Sequence, residues 1–207
     1  MQVCQLPVGM EMGGSGAYPC CYGLAEKIVF SKVKANLGLD CCKFGFTGAA
    51  PIMVDTLAYF GQLGIQINEV YGMSECTGAC TWSLDDTHKA GSCGFAMPGV
   101  EVAVLNSESG STVPPASGPT PSEAEQGEIC FRGRNIMMGY LANPALGDAH
   151  VQEIMKKTRE AIDEEGWLHS GDKGCVDDRG MIRITGRYAC SQHSVATCCC
   201  CVSLVSG

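Results

Sequence analysis

Between Phe44 and Gly78 two strand-length runs flank one helix-period segment, and each run ends in a glycine-containing loop. Phe44–Thr47 has the length of a buried strand and leads into Gly48-Ala49-Ala50-Pro51. A helical pattern then spans about 53 to 62, and Ile65–Val70 is expected as the next strand, closed by Tyr71-Gly72-Met73-Ser74-Glu75-Cys76-Thr77-Gly78. A short apolar run such as Phe44–Thr47 suits a strand covered on both faces, and a helix between two strands is the crossover that parallel pairing needs. Ligands of such sheets gather beyond the carboxyl ends of the strands. Both loops, 48–51 and 71–78, fall there. Upstream, Leu24, Ile28, Val29, Val33 and Leu37 recur at helical spacing among Lys27, Lys32 and Lys34. The spacing predicts an amphipathic helix over 24–36, stopped by Gly38 and facing the core.

From Gly94 onward the pattern turns to β structure. Val100–Leu105 and Gly127–Arg132 predict strands on either side of 107–126, whose five serines, four prolines and two glycines predict a surface connection with no further role. A helix is expected over 150–164, with Val151, Ile154, Met155, Thr158 and Ile162 along one side. Val176–Ile184 is expected to fold as a hairpin about Asp177-Asp178-Arg179-Gly180. The resulting division is an irregular segment over 1–23, an α/β portion over 24–93, a β-rich subdomain over 94–188 and an atypical cysteine-rich tail over 189–207.

Two places carry chemistry. The hydroxyl of Ser74 beside the carboxylate of Glu75 suits a phosphate oxygen and its cation, because hard cations prefer oxygen ligands. Asp172, at the end of Gly166-Trp167-Leu168-His169-Ser170-Gly171-Asp172, is expected on a glycine-flanked turn, where a carboxylate can accept from two ribose hydroxyls. The order and spacing of the three motifs read together as a nucleotide site.

On these motifs, from about Leu24 to Tyr188, the chain resembles the adenylate-forming superfamily of AMP-dependent synthetases and ligases. Leu37-Gly38-Leu39-Asp40, Phe46-Thr47-Gly48-Ala49-Ala50-Pro51 and Thr81-Trp82-Ser83 after the Tyr71–Gly78 loop look most like the bubblegum-type long-chain acyl-CoA synthetases. The resemblance implies an α/β fold, the C-terminal part of the large adenylate-forming domain, in which a parallel-sheet portion is followed by a β-rich subdomain. It implies an internal fragment of a long-chain fatty acid–CoA ligase. There the fatty carboxylate attacks the α-phosphate of ATP, pyrophosphate leaves, and the thiol of CoA displaces AMP. Gly48, Ala49, Ala50 and Pro51 match the loop against adenine, and Tyr71 the residue whose ring faces the purine. Gly72 and Met73 match positions bordering the acyl carboxylate. Ser74 would donate to the α-phosphate, Glu75 would hold Mg²⁺, and Asp172 and Arg187 would hold the ribose. His169 is expected to be structural, since an ionised carboxylate needs no general base to attack phosphorus. Trp167 is expected to pack beneath the Asp172 turn. The superfamily's phosphate loop and its C-terminal lysine do not occur in these residues and are expected outside them, so the isolated chain is expected to be inactive. A ligase for another carboxylic acid, or a non-catalytic nucleotide-binding half-site, are the alternatives.

With 207 residues, 45% hydrophobic and 17% charged, the chain can bury a sizeable core. A net charge of −8 gives no basic surface for nucleic acid. No run approaches the roughly 18 apolar residues needed to span a bilayer, so a cytoplasmic place is expected, with peripheral association at an intracellular membrane left open by the resemblance. The fifteen cysteines are expected to be reduced, and those before residue 190 to behave as small buried apolar residues. The last five crowd into 190–201, where Cys190, His193, Cys198 and Cys201 have zinc-like spacing with no turn to close it. The low-complexity tail reads more simply as a departure from the superfamily pattern after Tyr188.

Overall fold

The computed structural model describes residues 20–84, 87–188 and, as backbone, 202–206. The chain divides into two compact units. One comprises Met1–Val70, Trp82–Gly94 and Cys198–Gly207, the other Tyr71–Thr81 and Phe95–Thr197. The zinc-like spacing at Cys190, His193, Cys198 and Cys201 lies outside the described residues, as does most of the expected irregular segment over 1–23.

The first unit holds the expected strand–helix–strand element. Strand β1 (Cys42–Thr47) pairs in parallel with β2 (Ile67–Met73) through Gly45↔Ile67, Phe46↔Asn68 and Thr47↔Glu69. The crossover helix comes between them and is named α3 (Val54–Gln62) below; β9 (Val202–Ser206) lies antiparallel to the other edge of β1. The core is Leu39, Leu57, Leu63, Ile65 and Ile67, with Phe30, Val33, Ile52 and Phe60 packed against it.

The expected helix over 24–36 is present but is not uniform. It begins as α1 (Tyr22–Ala25), widens into a π-helical stretch over Glu26–Phe30 and continues as α2 (Ser31–Asn36). The wider turn changes the phase of the helix. Phe30 and Val33 reach the core, whereas Leu24, Ile28, Val29 and Leu37 are exposed. The apolar stripe read from a 3.6-residue period is therefore only partly core-facing.

The second unit is built on a four-stranded antiparallel sheet in the order β5 (Val100–Leu105), β6 (Gly127–Gly133), β7 (Leu168–Val176), β8 (Ile182–Arg187). Val104, Ile129, Phe131, Leu168, Met181 and Ile182 are among its buried apolar residues. The expected hairpin between β7 and β8 is closed by Asp177. Its Oδ1 accepts from the amides of Arg179 (3.1 Å) and Met181 (2.9 Å), while Gly180 takes φ 89°. Helix α4 (Asp148–Ala161) ends before the expected 164, because Ile162 is extended and bridges Leu168.

Two expectations are corrected here. The stretch 107–126 is more than a surface connection: Val113 and Ala116 are buried, and their amides donate to Val104 O (3.0 Å) and Val176 O (2.7 Å). Backbone pairing outweighed a composition typical of loops. Asp172 is not on a turn but inside β7, opposite Arg187, next to a register shift between Lys173 and Gly174. A left-handed Gly171 (φ 72°) supplies the kink that the glycines suggested.

Candidate functional site

Three residues singled out in the sequence meet in the second unit. Tyr71 comes at the end of β2, is buried, and tilts its ring against Phe131 with centroids 5.4 Å apart. Its hydroxyl donates to Asp172 Oδ2 at 2.8 Å across 101 positions of sequence. From the neighbouring strand, Arg187 Nε donates to Asp172 Oδ1 at 2.7 Å. The carboxylate is 14% exposed and the arginine 62%, so one oxygen is held from inside and the other from the surface. The Asp172 amide donates to Ser170 Oγ at 3.1 Å. A carboxylate oxygen has two lone pairs, so each retains acceptor capacity after one such bond.

The loop after Tyr71 is built by close backbone approach. A Cβ on Gly72 would overlap the carbonyl oxygen of Gly78 and lie 2.9 Å from Ala79 Cα. Met73 is extended, Ser74–Cys76 form one 3₁₀ turn, and Thr77 closes it in the left-handed region at φ 67°. That conformation is uncommon for threonine and is held by its hydroxyl donating to Asn135 O at 2.7 Å. Inside the turn the Cys76 sulfur takes the Met73 amide at 3.2 Å. The thiol interaction with Cys80, aided by that amide, draws Cys76 down to about 7, whereas Cys80 is pushed up. Cys76 was expected only as an apolar filler, and the structure makes it the hydrogen-bonded centre of the loop. The turn leaves Ser74 exposed and Glu75 partly so. Tyr140 donates to Glu75 Oε1 at 3.0 Å, and the Met137 amide to Glu75 O at 2.8 Å. Burial and the Glu75 charge raise the Tyr140 phenol to about 12, so it remains a donor. Tyr140 and Asn135 had no mark in the sequence beyond their place after β6.

Gly48, Ala49, Ala50 and Pro51 belong to the first unit. A Cβ at Gly48 would lie 2.7 Å from Val70 Cγ2, which explains the glycine at the end of β1, and Ala49 has φ 67°. In the same unit Glu69, 9% exposed on β2, was missed entirely. Its Oε1 accepts from the Gly91 amide at 2.6 Å, yet burial outweighs this and raises the carboxyl to about 7. A native proton affinity above that of the unfolded chain stabilises at low pH and is lost as pH rises through the native value. Unfolding free energy is therefore expected to fall by roughly 3 kcal/mol between about pH 4.5 and pH 8 from this group. In denaturant titrations over that range, Glu69→Gln should flatten the slope; an unchanged slope refutes the assignment.

His169, expected to be structural, has surroundings that the sequence did not foretell. Nδ1 lies 2.8 Å from Glu128 Oε2 and 3.6 Å from Cys130 Sγ, and Nε2 lies 3.3 Å from Asp163 Oδ2. The Cys130 sulfur and the Glu128 carboxylate raise the imidazole to about 11. Burial alone would push Glu128 up, but the imidazolium and the Gly171 amide hold it below its ordinary value. Trp167 stacks against the Arg132 guanidinium, whose carbon lies 4.4 Å from its ring centre. All described cysteines are free thiols; Cys20, Cys21 and Cys41 are exposed, contrary to the expectation that the set is buried.

A sheet portion with loops at strand ends, joined in sequence to an antiparallel subdomain that positions Asp172, is the arrangement of adenylate-forming domains. The chain belongs to the AMP-binding enzyme family, whose model matches residues 21–141. It is 42% identical over 185 residues to the long-chain-fatty-acid–CoA ligase ACSBG2 of Xenopus laevis, covering 87% of this chain and 22% of that protein. It is 38% identical over 174 residues to ACSBG1 of Homo sapiens, covering 84% of this chain and 21% of that protein. The bubblegum-type resemblance holds. The chain spans about a fifth of the length of these relatives. Among solved structures, ATP-bound MatB from Rhodopseudomonas palustris superposes with a TM-score of 0.56 at 29% identity, over 69% of this chain and 25% of that one. Among the described residues no helix is long and apolar enough to cross a membrane.

Proposed function

We propose that this chain is the nucleotide-holding portion of a long-chain fatty acid–CoA ligase, which uses ATP to activate a fatty acid as its acyl-AMP and transfers the acyl group to CoA. The observation that carries the reading is the Asp172 carboxylate, gripped by Tyr71 and Arg187. A carboxylate fixed through one bond on each oxygen, with lone pairs to spare, suits the two adjacent hydroxyls of a ribose. Gly48, Ala49, Ala50 and Pro51 would lie along adenine, where small side chains permit close approach, and Gly72 and Met73 would border the acyl carboxylate.

Ser74 is placed on an exposed turn, with a hydroxyl free to rotate and donate to an α-phosphate oxygen. Glu75 suits Mg²⁺: its donors are hard oxygens, and among the described residues no hydrogen bond engages Oε2 while Tyr140 orients the group through Oε1. Mg²⁺ bound there would offset the charge gathering on the phosphate oxygens. Ser74, and Glu75 through that ion, would hold the phosphate in line with the incoming carboxylate, Tyr71 would present its ring to the purine while its hydroxyl holds Asp172, and Asp172 and Arg187 would hold the ribose. The same reading places the protein in the cytoplasm; free thiols accord with a reducing compartment.

The test is binding of acyl-sulfamoyl-adenosines, inert mimics of acyl-AMP, by calorimetry. The expected result is saturable binding that tightens from the acetyl to the oleoyl compound. Failure of every adenosine compound to bind at millimolar concentration overturns the reading, and equal binding of acetyl and oleoyl compounds overturns its long-chain part.

A further inference from the structure

We propose that Glu128, Cys130 and His169 form a binding site for a zinc-class divalent cation, with Asp163 orienting the imidazole from its far side. This site is separate from Ser74 and Glu75, and its chemistry differs. Where those offer only hard oxygens, this cluster offers one carboxylate oxygen, one thiol sulfur and one imidazole nitrogen, a mixed set that favours zinc over magnesium or calcium.

The fold brings these donors together. Cys130 on β6 is the cross-strand partner of His169 on β7, and a register shift between Glu128 and Cys130 lets both side chains reach the same imidazole. One donor atom from each of the three lies within 4.8 Å of the others. Tetrahedral zinc with bonds of about 2.0 to 2.3 Å sets its donors roughly 3.3 to 3.6 Å apart. The 3.6 Å between His169 Nδ1 and Cys130 Sγ already meets this, and the 2.8 Å from Nδ1 to Glu128 Oε2 needs to open by about half an ångström.

Two further observations point the same way. A metal-bound histidine ordinarily gives its other ring nitrogen to a carboxylate. Here Nε2 faces Asp163 Oδ2 at 3.3 Å, and Asp163 is itself fixed, its Oδ1 accepting from the Glu165 and Trp167 amides at 2.9 Å each. Glu128 is fixed as well, its Oε1 accepting from the Gly171 amide at 2.8 Å. The cluster is also reachable: Cys130 is buried, but the His169 side chain is 31% exposed. On binding, the thiol proton and the proton at Nδ1 leave to solvent, and the cation takes their place between sulfur, nitrogen and oxygen.

The test is zinc stoichiometry in chelator-buffered Zn²⁺, measured on the whole 207-residue chain so that the other thiols form a common background. Cys130→Ser and His169→Gln are each expected to bind one equivalent fewer than the parent. A folded variant of either kind that binds as many equivalents as the parent overturns the proposal. Should a variant not fold, the parent decides by ¹⁵N NMR of its four histidines. A shift of His169 Nδ1 at zinc saturation is the expected result, and an unmoved His169 resonance overturns the proposal.

Discussion

Replacing Gly72 with alanine is expected to cost on the order of 4 kcal/mol of unfolding free energy, which places it among the most damaging single-methyl additions a chain of this size can receive. The added Cβ would overlap the Gly78 carbonyl oxygen and come within 2.7 Å of the carbonyl carbon and 2.9 Å of Ala79 Cα. These are backbone atoms at the start of β3 (Gly78–Trp82), so no rotamer change relieves the overlap, and the Ser74–Cys76 turn between the two glycines must deform. Gly78 makes a useful contrast. Nothing lies within 4 Å of its added Cβ, so Gly78→Ala carries only the strain of φ 113°, about 1 to 3 kcal/mol. Urea midpoints of the two variants test the difference. A loss below about 1 kcal/mol for Gly72→Ala would show that the loop is not packed as described.

Substituting Asp172 by alanine is expected to weaken adenosine nucleotide binding on the order of 100-fold, through loss of two charge-assisted hydrogen bonds of about 1.5 to 3 kcal/mol each, partly offset by water. The buried Tyr71 hydroxyl would also lose Asp172 as an acceptor, and Arg187 would lose the charge of that carboxylate. Asp172→Asn separates these effects. The amide keeps one oxygen for Tyr71 but presents a donor where the second hydroxyl needs an acceptor, so affinity is expected between those of the parent and the alanine variant. Nucleotide affinity within threefold of the parent for Asp172→Ala would remove the ribose role from this residue.

The fold was legible where local pattern and tertiary demand agree. The apolar run Phe44–Thr47, the strand over Val100–Leu105 and the Asp177–Gly180 turn each state their structure within a few residues, because hydrophobic pattern and turn chemistry act locally. What failed depended on partners far along the chain. The π-helical stretch at Glu26–Phe30 shifts a stripe that reads as continuous, and Val113 and Ala116 find strands to pair with despite the prolines around them. The candidate site divides in the same way. The identities of Ser74, Glu75, Asp172 and Arg187 were visible as chemistry, but their supports were not. Tyr140 reaches Glu75 across 65 positions, and Glu128 is paired with His169 across 41. Glu69 was invisible for a different reason: in sequence it is one polar residue among several, beside Gln66 and Asn68, and only its burial as a carboxyl distinguishes it.

The two grips on Asp172 differ in how they respond to the surrounding solution. The Tyr71 hydroxyl is uncharged and inside, whereas Arg187 is a full charge mostly in water. Mobile ions at physiological strength screen exposed charges over about 8 Å and leave a buried neutral donor untouched. Rising ionic strength thus weakens the exposed arginine contact more than the buried tyrosine bond. Arg187 is itself held opposite Asp172 by the pairing of β7 with β8, so the direction of the carboxylate rests on the sheet and on the buried tyrosine together.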